Sequence, residues 1–204
     1  YLDLGFDLHC LPRTCLPYVP LFGRALTELG TDREDFAAFS RRISRKTGGI
    51  RPDLFASATS GSRASAPWLF LRGKAMMDQT EDLFAILHDM LFATRFDNPE
   101  RFRQMVLEEK ARFEHKLVPA GHQVVNLRLR AQFSEADWVM EQMHGVSYLF
   151  FLRQLARLVD EDWSRVRSTL EDMRQILLGR GNTVFNVTLD ESNWQRLEPL
   201  LPGF

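Results

Sequence analysis

Cysteine is scarce in these 204 residues: Cys10 and Cys15 are the whole supply. Two cysteines cannot staple a small secreted scaffold. The pair therefore excludes a disulfide framework and points to a soluble, reducing setting, the cytoplasm or an organelle matrix. Long apolar runs are missing as well, since no stretch approaches the roughly 18 unbroken apolar residues of a membrane-spanning helix. Charge of one sign is also lacking. The 26 Lys and Arg against 27 Asp and Glu leave a formal net charge of −1, and the basic residues are mixed with carboxylates rather than interleaved with aromatics. That pattern removes the electrostatic footprint of a nucleic-acid or membrane-surface module, so neither partner is expected. No internal repeat and no low-complexity tract occurs.

Histidine is the shortage with the most chemical content. The five are His9, His88, His115, His122 and His144, and no two are four apart, so no helix turn offers a pair to one metal. Zinc needs three or four converging ligands, usually with two held close by a helix or tight turn. His115 and His122 are seven apart and straddle Pro119 and Gly121, which reads as polar residues at a helix junction. His9, Cys10 and Cys15 lack C-x-x-C spacing, and a free cysteine among Leu11, Pro12 and Leu16 reads as core. G-x-S-x-G is absent, and "SGSRAS" (60–65) has neither a following helix nor an adjacent base. "GRGN" (179–182) follows a helix and precedes a strand, the reverse of a phosphate-binding loop. Glu108 and Glu109 diverge by about 100° on a helix and read as a solvated face. Trp138, Trp163 and Trp194 read as packing.

What is present is ordinary globular material: 45% hydrophobic and 26% charged residues, long enough for one large domain or two small ones. Residues 1–8, "YLDLGFDL", alternate as a half-buried strand does. The chain opens directly on that strand, which suggests a piece of a longer protein. "LPYVPLFGRALTELGT" (16–31) has the apolar spacing of a helix and a stop at Gly30. Thr31 or Asp32 is placed to cap a second helix that ends at Gly48-Gly49. Strands follow in "IRPDLFASAT" and "APWLFLRGKAM", then a helix from about Thr80 to Thr94. Asn98-Pro99-Glu100 opens a long helix to about Leu117, with Glu108 and Arg112 an i,i+4 pair. Residues 121–179 read as four helices, with Ser134 and Asp160 as starts, and "NTVFNVTL" as a last strand before a short helix from Glu191. The order predicts an α+β fold: a mostly antiparallel sheet with helices packed on one face.

Several stretches, taken in order, resemble one family. "YLDLGFDLHCLPRTCLPYVPLFGRALTELGT", "RKTGGI", "WLFLRGKAM" and the run from "NPERFRQMVLEEK" to "GVSYLFFLRQL" are similar to the third domain of presequence-protease-like enzymes. Those enzymes belong to the insulinase/pitrilysin superfamily of zinc metallopeptidases. The resemblance covers about residues 1–190. It implies a parent chain of four similar α+β domains in two bowl-shaped halves that close around an unfolded peptide. Zinc is expected in the parent's N-terminal domain, on an inverted H-x-x-E-H motif. In this chain the slots of that motif match Leu21, Arg24 and Ala25, and the third-ligand position falls near Glu108 or Glu109. Leucine, arginine and alanine supply neither imidazole nor carboxylate, so no catalytic residue and no metal ligand is expected.

The resemblance therefore implies a single inactive peptidase-like domain over 1–204, with a helical associated segment at 119–180. Its partners would be the other domains of the same chain and the parent's unfolded peptide substrate. The alternative is a stand-alone peptide- or protein-binding domain of the same fold.

Overall fold

The computed structural model describes residues 1–61, 64–179 and 181–203. "SGSRAS" and "GRGN" thus fall partly on residues 62, 63 and 180, outside the described residues. The fold is α+β: a four-stranded antiparallel sheet in the order β2-β3-β1-β4 with helices on its inner face. Strand β1 (Leu2–Asp7) is central, pairing with β3 (Ser65–Gly73) so that Leu4 faces Leu71, and with β4 (Thr183–Val187) so that Leu4 faces Phe185. Strand β2 (Ile50–Ala58) is added outside β3. Period-two alternation puts Leu2, Leu4, Phe6, Leu69 and Leu71 on one side, all buried. The other side carries Trp68 stacked on Phe70, with the Arg72 guanidinium over the Phe70 ring.

Helix α1 (Val19–Glu28) lies on the apolar side and buries Val19, Leu21, Phe22, Ala25 and Leu26. It starts later than its apolar pattern predicts, because residues 13–18, with Pro17 among them, wind as a tighter 3-10 turn first. Gly23 brings it onto the sheet: a Cβ there would lie 2.8 Å from the Pro52 Cβ. The helix stops before Gly30, whose φ of +84° is open to glycine at little cost, and a Cβ there would sit 2.7 Å from the Glu34 carbonyl oxygen. Thr31 and Asp32 do not cap the next helix. The Thr31 hydroxyl accepts from the Arg33 and Glu34 amides, and Asp35 caps α2 (Phe36–Lys46) by accepting from the Ala38 amide.

Helix α3 (Thr80–His88) runs on into a wider turn over 89–93. Asn98 accepts from the Arg101 amide, as its sequence context predicts, and opens α4 (Pro99–Arg130). The two helices expected on either side of Pro119 are joined without a loop. Pro119 has no N–H to give and crowds the preceding turn, so the axis kinks at Ala120, where φ is −120° and ψ is 22°. Helices α5 (Glu135–His144), α6 (Val146–Glu161) and α7 (Trp163–Leu177) pack back on α4 and the sheet, and a short α8 (Glu191–Leu197) follows β4. Asp162, two residues beyond the expected Asp160, caps α7. No helix among the described residues is long and apolar enough to cross a membrane.

The α5–α6 elbow turns on one carboxylate. Glu141 is fully buried, and its Oε1 accepts from the Ser147 amide at 3.0 Å and from Arg128 Nη1 at 3.0 Å. It thereby satisfies an orphan N–H of α6 and ties both helices to α4. Glu141→Ala removes cap and ion pair together, and is expected to lower the unfolding free energy by about 2–3 kcal/mol, read as a shift in urea midpoint at unchanged slope.

Candidate functional site

The residues matched to the metal slots stand on α1 and do not resemble one another chemically. Leu21 and Ala25 are fully enclosed by hydrocarbon. Arg24 lies on the flank that faces α4, its side chain only 16% exposed. Helical spacing puts Glu28 one turn further on, and the two meet as a fork. Arg24 Nε donates to Glu28 Oε1 at 2.9 Å and Nη2 to Glu28 Oε2 at 3.0 Å.

Helix α4 supplies the rest. Arg24 Nη2 also donates to Glu108 Oε2 at 2.9 Å, and Nη1 lies 3.5 Å from Glu109 Oε2. Adjacent helical residues do diverge, but the guanidinium is broad enough to be reached by both. Arg101 Nη2 donates to Glu28 Oε2 at 2.7 Å, and Arg112 Nη1 sits 3.0 Å from Glu109 Oε2. Three carboxylates and three guanidiniums therefore form one cluster between α1 and α4. The expected Glu108–Arg112 pair is replaced by Glu109–Arg112. Glu109, only 15% exposed, is no solvated surface residue, while Glu108 stays half exposed.

The charges follow from this geometry. Burial alone would lower the Arg24 pKa, but hydrogen bonds to Glu28 and Glu108 and the charges of Glu28 and Glu109 outweigh it and hold the guanidinium above its ordinary value. The Arg24 hydrogen bond holds the Glu108 carboxyl below the usual carboxylate range. Beside them the Tyr148 hydroxyl is buried with no hydrogen-bond partner among the described residues. That burial, and then the Glu109 charge, push the phenol well above its normal pKa.

A cleft of about 220 Å³ opens against the cluster. Arg24, Glu109 and Arg112 form one wall, with Pro52 and Asp53 of β2 and His144 of α5 opposite. His144 is open to the cleft yet crowded by protein, and that desolvation, with Lys116 nearby, keeps its imidazole below the ordinary histidine pKa. The other sequence candidates do not converge here. Cys10 donates its thiol to the Asp7 carbonyl, and His9 Nδ1 lies 2.9 Å from Asp7 Oδ1. Burial pushes both thiols up. Among the described residues no three His, Cys, Asp or Glu side chains are grouped as a metal ion would need. The Arg24–Glu28 spacing was legible in the sequence, whereas nothing local announces a partner 84 residues away.

Comparison with known proteins places this geometry in context. The family model for the associated segment of peptidases of metallopeptidase family 16, subfamily C, matches residues 1–155. The chain is 36% identical over all 204 residues to "Presequence protease 1, chloroplastic/mitochondrial" of Arabidopsis thaliana, covering 19% of that protein. It is 22% identical over 97% of its length to "Protein HypA" of Clostridium perfringens, covering 20% of it. It is also 24% identical over 88% of its length to "Presequence protease, mitochondrial" of Saccharomyces cerevisiae, covering 19%. The chain thus spans about a fifth of the length of the curated relatives it matches.

Arg24→Met would leave Glu28, Glu108 and Glu109 facing one another, an expected loss of about 2 kcal/mol at pH 7. Because the folded Glu108 pKa is depressed, its share is complete above the ordinary carboxylate value of 4.5 and is lost as the pH falls below it. The gap between wild type and Arg24→Met in urea midpoint should therefore narrow from pH 7 to pH 3. Tyr148→Phe removes an unsatisfied buried hydroxyl and should be neutral or stabilising by up to about 1 kcal/mol in the same assay.

Proposed function

The chain belongs to the peptidase-associated family of metallopeptidase family 16, subfamily C, and on that premise we propose that it is a non-catalytic, peptidase-like domain of a larger zinc metalloendopeptidase that degrades unstructured peptides. The observation that carries this reading is Arg24. A guanidinium occupies the position matched to the motif's carboxylate and is saturated by Glu28, Glu108 and Glu109. The two imidazole slots hold the buried hydrocarbon of Leu21 and Ala25. These residues do not fit a zinc ion: they offer no neutral imidazole, and a fixed positive charge lies where a second cation would have to sit. No hydrolytic step is assigned to this chain.

In this reading residues 1–204 form one domain with residues 119–180 as its helical associated segment. It contributes a wall of the degradation chamber and contacts the other domains of the same chain, and zinc is held in the parent's N-terminal domain. The presequence proteases named above support the parent's activity. Their chloroplastic and mitochondrial names also favour an organelle matrix as the setting.

The test is hydrolysis of an unstructured peptide in the presence of zinc. The 204-residue chain is expected to show no turnover, and Arg24→Met in the full-length polypeptide is expected to leave kcat/KM within about twofold. Turnover by the isolated chain that a chelator abolishes would overturn the proposal. A full-length sequence with no H-x-x-E-H motif ahead of this segment would favour the stand-alone binding domain.

A further inference from the structure

Beyond its kink, α4 carries apolar residues on two opposite faces. Val124 turns inward and packs against the core. Val125 and Leu129, one turn apart, point outward at 60% and 56% exposure, and Phe133 follows in the closing turn at 89%. Val118, just before the kink, is 93% exposed. A helix that is apolar on both sides is normally covered on both. Here only one side is.

From this stripe we infer an inter-domain docking surface: Val118, Val125, Leu129 and Phe133 seat an apolar face of another domain of the same longer polypeptide. The inference rests on the reading of the chain as one domain of a larger enzyme, and it names where that enzyme's remainder touches it. Three observations choose this occupant. The curated relatives are about five times longer than this chain, so a large covering body is available. The four side chains offer roughly 500 Å² of apolar surface, short of the ~800 Å² per partner that a free-standing dimer needs. That deficit is no obstacle to a tethered domain, whose effective concentration is already high. Finally, Arg128 and Arg130, which flank the stripe, are ion-paired to Glu141 and Asp137 of α5. The rim therefore keeps little free positive charge for an anionic lipid surface.

The experiment uses the full-length polypeptide, with Leu129→Cys, Phe133→Cys and, as an exposed control on α2, Ser40→Cys. Maleimide labelling at each site is followed by mass spectrometry. The stripe positions should label at least about tenfold more slowly than the control. The protection should be unchanged by dilution and by vesicles of phosphatidylcholine with phosphatidylglycerol. Equal rates at all three sites would overturn the inference. Protection lost on dilution would assign the face to a second copy, and protection seen only with vesicles would assign it to a membrane; either result also overturns it. Labelling is independent of the hydrolysis assay, so this surface can fail while the non-catalytic reading stands.

Discussion

A guanidinium drawn most of the way out of water is stable only if carboxylates follow it, and Arg24 meets that condition by joining α1 to α4. Glu28 comes from its own helix, Glu108 and Glu109 from a helix about 80 residues further on, and Arg101 and Arg112 balance the excess negative charge. Removing one member leaves the others desolvated and unpaired, which is why such a cluster is costlier to break than to form. It sits between the sheet-backed α1 and the α4 on which α5 and α6 pack. The position of the whole helical segment against the sheet thus passes through this contact, supported by the apolar packing of Phe102, Met105 and Val106 beneath it.

The same cluster explains how a metallopeptidase-like scaffold can keep its shape without a metal. A zinc ion in such a place would draw ligands from two helices together; a cation supplied by a side chain does the same work with a fixed charge and directed hydrogen bonds. The cleft against it retains titratable groups, among them Asp53 and His144, but its acid–base elements are already engaged. Glu109 is tied to two arginines, and crowding favours a neutral His144. The architecture is that of a wall, with its charges turned toward one another rather than toward a substrate.

Much of the fold was legible because it is encoded locally. The alternation of Leu2, Leu4 and Phe6, the glycine stop at Gly30 and the Asn98 cap each follow from one or a few residues in sequence, and the structure has them where the pattern puts them. Boundaries were less legible where neighbours compete. Pro17 delays α1, Asp35 displaces Thr31 and Asp32 as the cap of α2, and Asp162 displaces Asp160 before α7. At Pro119 the sequence shows a break, while packing on both sides of the kink holds the two runs as one element. Glu108 and Glu109 were misread for a related reason: helical geometry separates them, and only the docking of α1 supplies a group wide enough to take both.

The sequence by itself determined what chemistry is missing. No histidine stands between His9 and His88, so the helix at the metal-binding position can present no imidazole, whatever its register. It also determined the α+β order of elements, since period-two and helical spacing are properties of the chain alone. What Arg24 does was decided only by tertiary structure. Its nearest partner is four residues away, but the carboxylates that complete its shell are 84 and 85 residues away. An ion pair across that separation exists only once α1 and α4 have been brought together by the burial of the apolar faces between them.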